Sequence, residues 1–222
     1  MTTKINVVCE FKAQDLESKT NFLIEAIEST RKQRGIWNRN RLTWRVENWT
    51  NDFEKERDIR YALNIAFTEW DIELPIVFEE ANDGEEADIT IDFRYRKDDP
   101  YYSGDKGKNV IGYAGYPDAR LRGVLVIFDD YDWNWHGQGG YNLIQVIIHE
   151  IGHILGFPHS TRGLKEDLMD PFYNAKLVEL SGYDIEFAVA SYGAREYSSP
   201  TGHERLEKVN RAQKERLIPT NQ

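Results

Sequence analysis

Two segments in the first third of the chain carry apolar residues three and four positions apart, the spacing of one helix face. The first spans residues 15–34, where Ser18 is a candidate N-cap and Gly35 follows the end. The second spans residues 52–70. This spacing leaves one apolar stripe on an otherwise polar helix, so both segments are predicted to be amphipathic helices that pack against a core.

Two more helices are predicted in the second half of the chain. The apolar run 143–155 is too long for an ordinary strand and is predicted to be a largely buried helix. A last helix is expected to begin after Ser181 and to end near Gly193, because Ser181 and Asp184 have the spacing of a capping box.

Alternation of apolar and polar side chains predicts strands between these helices. The alternation is clear in residues 42–47 and 87–93, where every second side chain is apolar. Weaker strand patterns occupy residues 75–78, 109–114 and 123–128, and irregular loops are expected at 97–108, 129–140 and 157–178. Strands and helices in this order indicate an α/β domain over residues 36–194, between an N-terminal helical extension (1–35, a candidate pro-segment) and a charged C-terminal tail (195–222).

Charge and cysteine content narrow the classes of partner and site. The 222 residues include 28 Lys and Arg against 38 Asp and Glu, a net charge of −10. Such a surface repels nucleic acid and anionic membranes, so neither is expected as a partner. Separately, the chain is expected to be a monomer. No apolar run has the length of a signal peptide or a membrane span. Cys9 is the only cysteine, which excludes an intrachain disulfide and a cysteine zinc cluster.

One eleven-residue segment carries the pattern of a catalytic zinc site, H-E-x-x-H-x-x-G-x-x-H. Four residues complete about one helical turn, so His149 and His153 lie on the same helix face and can bind one Zn²⁺. Gly156 lets the chain leave the helix, so that His159 can return as the third ligand. Three imidazoles leave one coordination position open, and Glu150 is placed as the general base toward it.

A bare H-E-x-x-H occurs by chance, and isolated histidines are more often ordinary surface or core residues. The five fixed positions of the longer pattern are much harder to obtain by accident. Three of the five histidines in the chain fall within this one segment, at positions 149, 153 and 159. The metal site is therefore the preferred interpretation.

With this segment the sequence resembles the metzincins and, among them, the matrixins or matrix metalloproteinases. Ser160, directly after the third histidine, is of the matrixin type, and residues 168–173 resemble the Met-turn and the wall segment that follows it. Residues 42–46, 86–93 and 180–193 are also similar to matrixin segments, so the resemblance covers about 36–194. It implies a zincin-like α/β (α+β) fold with a twisted, five-stranded mixed sheet, an antiparallel edge strand and three main helices.

The resemblance also implies a function and further site residues. The function is zinc-dependent hydrolysis of protein or peptide substrates, with an extracellular location suggested and an apolar residue preferred after the scissile bond. Met169 would form the floor beneath the zinc, and Pro171 and Tyr173 would line the pocket for that apolar side chain. Ile111 and Gly112 would belong to the edge strand that pairs with an extended substrate.

The sequence departs from the matrixin pattern in its expected metals. The ligands of a second, structural zinc would fall at Asp98, Pro100, Tyr113 and Ile127, so that zinc is predicted to be absent. The candidate calcium ligands are Asp105, Asp129 and Asp132. Lys106 and Lys108, however, bring positive charge to the loop that contains Asp105. Cys9 lacks the sequence context of a matrixin cysteine switch, and no haemopexin-like domain is expected after Gly193.

Two alternatives to a free peptidase stay open at this point. The chain could be a catalytically silent metal-binding interaction module that keeps the fold and cleaves nothing. It could also be a proenzyme in which residues 1–34 cover the cleft, with Asp15 or Glu17 on the zinc. In that second case, a helix at 15–34 that docks far from the metal is an equally good interpretation.

Overall fold

The computed structural model describes residues 35–103, 109–135 and 137–195. The helix predicted at 15–34 and the tail after 195 lie outside the described residues. Within those residues the chain forms seven strands, three α-helices and a short 3₁₀ turn at Arg96–Asp98. In chain order they are β1 (Arg41–Asn48), α1 (Glu56–Glu73), β2 (Val77–Glu80), β3 (Ile89–Arg94), β4 (Gly112–Ala114), β5 (Val124–Phe128), β6 (Trp133–Asn134), β7 (Tyr141–Asn142), α2 (Leu143–Ile154) and α3 (Gly182–Tyr192).

Five of the strands form one mixed sheet in the order β2-β1-β3-β5-β4. The first four run parallel, and β4 lies antiparallel to β5 at the edge. In register, Ile91 of β3 lies beside Val46 of β1 on one side and Leu125 of β5 on the other. The predicted fold, a five-stranded mixed sheet with an antiparallel edge strand and three helices, is confirmed.

The alternating apolar positions of β1 explain how the helices attach to the sheet. Leu42 and Trp44 of this strand are completely buried, and Trp44 stacks on Phe67 of α1 with ring centroids 5.4 Å apart. On the next turn of α1, the Trp70 indole N–H donates to the Ile148 carbonyl of α2 at 2.9 Å. Helix α1 therefore fixes α2, the helix that carries the metal motif, relative to the sheet.

Helix α1 begins and ends a few residues later than its apolar spacing predicts. It starts at Glu56, because the Asp52 carboxylate accepts the Trp133 backbone N–H at 2.7 Å in a loop contact. It continues to Glu73 and stops at Leu74, which is extended. The residue before a proline is disfavoured in the helical region, and Pro75 follows.

Strands β6 and β7 were not predicted, since two residues each are too few to show an alternation. The end of the last helix, by contrast, agrees with the sequence. Ser181 caps α3 in a capping box with Asp184, and Gly193 follows Tyr192. No helix in the described part of the chain is long and apolar enough to cross a lipid bilayer.

Both ends of the described domain are bound to its helices. The Trp37 indole N–H donates to the Ile154 carbonyl at 2.9 Å, and the Tyr192 hydroxyl donates to the Leu155 carbonyl at 2.7 Å. Arg195 donates to the carbonyls of Leu74 at 2.9 Å and Ile76 at 2.8 Å. The first residue of the predicted tail therefore contacts the end of α1.

Candidate metal centre

The three motif histidines converge on one point at the end of α2. His149 and His153 lie one helical turn apart, and the Nε2 atom of His159 is 3.2 Å from that of His149 and 3.1 Å from that of His153. His159 returns to the helix because Gly156 adopts a φ of +94°, a conformation that side chains rarely allow. A Cβ at Gly156 would also lie 2.5 Å from the Gly35 carbonyl oxygen.

The Nδ1 hydrogen bonds of two of the histidines determine which ring nitrogen faces the cluster. Nδ1 of His149 lies 2.8 Å from the Leu168 carbonyl oxygen, and Nδ1 of His153 lies 2.7 Å from that of Phe157. A carbonyl can only accept, so each Nδ1 carries the proton and each Nε2 presents a lone pair to the cluster. Burial lowers the pKa of His149 and so favours the neutral imidazole that a metal needs.

The geometry fits a zinc ion. Tetrahedral Zn²⁺ with Zn–N bonds of about 2.0–2.1 Å places its ligand nitrogens about 3.3–3.4 Å apart. The Nε2 separations of 3.1 and 3.2 Å are close to this value. Among the described residues, these three histidines form the one group of three or more His, Cys, Asp or Glu side chains close enough to share a metal ion.

Glu150 supplies a buried carboxyl group beside the histidines. Its Oε2 atom is buried and has no hydrogen-bond partner among the described residues. Burial raises the pKa of this carboxyl to about 8, whereas a divalent cation nearby would favour the carboxylate and lower it. A Cβ built on Gly112 of β4 would lie 3.6 Å from Oε1, so the carboxyl lies close to the edge strand. The arrangement can accept and release a proton at the cleft.

Met169 packs directly against the helix of the metal motif. A Cβ built on Gly152 would lie 2.4 Å from the Met169 sulfur, so only glycine permits this approach. The Met169 carbonyl also accepts the Ser160 backbone N–H at 2.7 Å, one residue after His159. The turn that was expected under the metal therefore contacts both the helix and the loop that carry the histidines.

Asp184 at the start of α3 fixes this turn, a role that sequence reasoning missed. Its carboxylate accepts the backbone N–H of Leu168 at 2.8 Å and that of Ser181 at 3.0 Å. The carbonyl of Leu168 in turn accepts from His149 at 2.8 Å. The capping-box spacing identified Asp184, but nothing local in the sequence indicated that its carboxylate would reach the turn before Met169.

The four predicted substrate-binding residues line one cleft of about 250 Å³ with the three histidines and Glu150. Gly112 is the first residue of the edge strand β4 and Ile111 precedes it, whereas Pro171 and Tyr173 belong to the loop that follows Met169. The Tyr173 hydroxyl accepts the Asn142 backbone N–H at 2.6 Å, which ties the wall to the start of α2. The lining residues that were not predicted include Tyr102, Tyr116, Gln145 and Asp170.

The predicted calcium ligands are not gathered in the described residues. Asp105 lies outside them, and Asp132 is exposed. Asp129 is half-buried, its Oδ1 atom is buried without a hydrogen-bond partner among the described residues, and burial raises the pKa of its carboxyl. Calcium at these aspartates stays a prediction.

The positions of a second zinc carry a hydrogen-bond network and a core residue. Ile127 is completely buried in β5, and the Tyr113 hydroxyl donates to the buried Asp99 carboxylate at 2.8 Å. The same carboxylate accepts the backbone N–H groups of Tyr101 and Tyr102, each at 2.8 Å. The absence of a second zinc stays a prediction.

Comparison with known proteins extends the likeness to most of the chain. The sequence model of a family described as Matrixin matches residues 36–193. Stromelysin-2 of Rattus norvegicus is 34% identical over 169 residues, which are 74% of this chain and 34% of that protein. Interstitial collagenase of Bos taurus is 35% identical over 163 residues (72% of this chain, 33% of that protein). Matrix metalloproteinase-C of Caenorhabditis elegans is 32% identical over 182 residues (75% and 30%). The chain thus spans about a third of the length of these curated relatives.

Proposed function

The chain belongs to the matrixin family, and from that premise we propose that it is a zinc-dependent endopeptidase acting on protein or peptide substrates. One observation carries the proposal: three Nε2 atoms converge within 3.2 Å of their neighbours beside the buried carboxyl of Glu150, whose Oε2 atom has no hydrogen-bond partner among the described residues. The relatives named collagenase and stromelysin support the same class of activity.

His149, His153 and His159 would hold the zinc through Nε2. When bound there, Zn²⁺ supplies a Lewis acid that lowers the pKa of water to near 7 and polarises the scissile carbonyl. The Nδ1 hydrogen bonds of His149 and His153 keep both rings in the tautomer and orientation that this role requires.

Glu150 would handle the proton. Its unpartnered oxygen accepts the proton of the attacking water and then donates it to the nitrogen of the leaving amine. Burial raises the pKa of this carboxyl, and a bound cation would lower it, so the two effects would oppose each other at the proposed general base.

The substrate would bind as an extended strand along β4. Among the strands that the structure describes, β4 pairs with β5 alone, so its other side is the sheet edge at which a substrate strand could add. Ile111 and Gly112 would pair with the substrate backbone. The side chain after the scissile bond would enter the space beside Pro171 and Tyr173, with apolar side chains preferred.

The proposal includes one bound zinc, no second structural zinc, and calcium as a candidate ligand of the aspartates at 105, 129 and 132. The buried Oδ1 atom of Asp129, which has no hydrogen-bond partner in the described part of the chain, supports the calcium prediction. Calcium is expected to raise the melting temperature of the wild type, and Asp129→Asn should remove this rise. An equal calcium response in the wild type and the variant would contradict it.

Hydrolysis of casein or of a quenched fluorescent peptide, with and without a chelator, tests the function. The wild type is expected to cleave only when zinc is bound. Glu150→Ala should keep the zinc but lose kcat/KM by several orders of magnitude. Full activity of the pure variant would refute the proposed role of Glu150. A zinc-loaded wild type that binds peptide and cleaves nothing would instead identify the silent interaction module.

A further inference from the structure

Asp170 places a second carboxyl group in the cleft, one that the proposed reaction does not use. The residue is 6% exposed and lines the cleft together with the three histidines and Glu150. Its Oδ1 atom accepts the Phe172 backbone N–H at 2.8 Å. Its Oδ2 atom accepts no hydrogen bond from the described residues and is not sealed off from solvent. This oxygen can therefore accept a hydrogen bond from a donor that enters the cleft.

The electrostatic surroundings of Asp170 favour a positively charged donor. Neither lysine nor arginine is among the described residues that line the cleft. Burial raises the pKa of the Asp170 carboxyl, and the charge of Asp167 acts in the same direction, whereas the Phe172 hydrogen bond and the charge of Lys165 act against them. A cation beside the carboxyl would offset the cost of burying it, and an acidic group would add to that cost.

Asp170 lies at the histidine end of the loop that also carries Pro171 and Tyr173. At the other end of this loop, the Tyr173 hydroxyl is bound to the start of α2. The Met169 carbonyl accepts the Ser160 backbone N–H at 2.7 Å, one residue after the third histidine. A substrate whose side chain after the scissile bond enters beside Tyr173 would carry the preceding side chain past the histidines, toward Asp170.

We propose that Asp170 selects a lysine or arginine side chain in the residue directly before the scissile bond. The inference rests on the proposed endopeptidase function, and it adds a charged preference before that bond to the apolar preference after it. The N–H groups at the end of the long side chain would donate to Oδ2. Hydrogen bonds between charged groups are stronger than neutral ones, so the pairing would discriminate against a neutral side chain of the same length.

Peptides that differ only in the residue before the scissile bond test the proposal. This residue is lysine, norleucine or glutamate, and mass spectrometry identifies the bond that is cleaved. Norleucine has the stem of lysine without its charge. The ratio of kcat/KM for the lysine peptide to that for the norleucine peptide should exceed one in the wild type and fall about tenfold in Asp170→Asn. Asparagine keeps an oxygen for the Phe172 N–H.

Two controls isolate the charge and the position of this carboxylate. Asp83→Asn removes the same charge from an exposed aspartate outside the cleft and should leave the ratio unchanged. A second pair of peptides carries lysine or norleucine directly after the scissile bond, and its ratio should be the same in the wild type and in Asp170→Asn.

Affinity measurements separate this inference from the proposed function. Glu150→Ala, loaded with zinc, should bind the lysine peptide more tightly than the norleucine peptide, and adding Asp170→Asn should remove the difference. These affinities decide the role of Asp170 even if no peptide is hydrolysed, a result that would refute the endopeptidase function alone.

Three results would overturn the role of Asp170. They are equal ratios in wild type and Asp170→Asn, a wild-type preference for the norleucine or glutamate peptide, and an Asp170 effect confined to the residue after the bond. If Asp170→Asn does not fold, Asp170→Ser repeats the test, because its hydroxyl oxygen can still accept the Phe172 N–H.

Discussion

The carboxylate of Asp184 links the start of α3 to the metal centre through a single backbone segment. It accepts the backbone N–H groups of residues 168, 169 and 181, and the Leu168 carbonyl then fixes the His149 ring. Groups that orient a metal ligand in this way typically contribute about 10–100-fold to metal affinity. The position of His149 therefore depends on a residue that never contacts the metal.

Replacing this carboxylate should weaken zinc binding. In the wild type both oxygens of the Asp184 carboxylate accept hydrogen bonds. Asp184→Asn would replace one of these oxygens with an N–H donor, so the segment before Met169 should shift away from His149. Zinc affinity, measured by competition with a chromogenic chelator, is expected to fall about 10–100-fold. Glu186→Gln, an exposed change on the same helix, is the control and should leave the affinity unchanged. Unchanged affinity in Asp184→Asn would show that the segment is held without this carboxylate.

Glu69 on α1 should make stability depend on pH. Burial raises the pKa of its carboxyl to about 7, and the charges of Glu179 and Glu73 act in the same direction. The folded protein therefore binds this proton more tightly than the unfolded chain. The stability contributed by the protonated form is complete below about pH 4.5 and is lost as the pH rises through about 7.

Glu69→Gln is expected to remove this loss. At pH 8 the variant should exceed the wild type in free energy of unfolding by roughly 1–2 kcal/mol, allowing for solvent screening of a part-exposed group. At pH 4.5 the two should be similar. Urea unfolding between pH 4.5 and 8 measures the difference, with the exposed change Glu54→Gln as control. A constant difference at every pH would exclude Glu69 as the titrating group.

At the scale of elements, Asp99 joins the loop after β3 to the edge strand. It accepts the Tyr113 hydroxyl of β4 and the backbone N–H groups of residues 101 and 102. Tyr102 and Tyr113 pack further on Phe128 of β5. This cluster supports the strand at which the substrate is proposed to bind.

Tyr113→Phe should loosen the edge strand. The change removes one hydrogen bond from a buried carboxylate, a loss of about 1–3 kcal/mol that lowers the melting temperature. Differential scanning calorimetry measures it, and Tyr95→Phe at an exposed tyrosine should have little effect. A melting temperature of Tyr113→Phe equal to that of the wild type, measured with the same metal content, would contradict the stabilising role of this hydrogen bond.

The elements differ in how far the sequence could predict them. Strands β1 and β3 and helix α2 follow directly from apolar patterns, because one face or the whole segment is buried. The late start of α1 depends on a contact between Asp52 and Trp133, and β6 and β7 are too short for a pattern. Contacts between distant residues leave no local periodicity.

The same division holds within the candidate site. The histidines and Glu150 can be identified from the sequence, because helix geometry fixes their spacing within eleven residues. The hydrogen bonds of Asp184 and Asp99 cannot be predicted in this way, since only the folded chain brings their partners close. Gln145 is an intermediate case: a polar residue within the apolar run 143–155 was visible in the sequence, but its cleft-lining position was not.

At the scale of the whole molecule, the sheet and helices bring one three-histidine group together in the part of the chain that the structure describes. A metal that binds only the folded state stabilises it, so zinc should raise the unfolding temperature of the apo protein. Mass spectrometry of the metal content is expected to find about one zinc atom per chain. His153→Ala should lose that zinc, whereas Tyr113→Phe should retain it, because Tyr113 donates to Asp99 instead of binding metal. Two zinc atoms per wild-type chain, with one surviving in His153→Ala, would show that a second site exists.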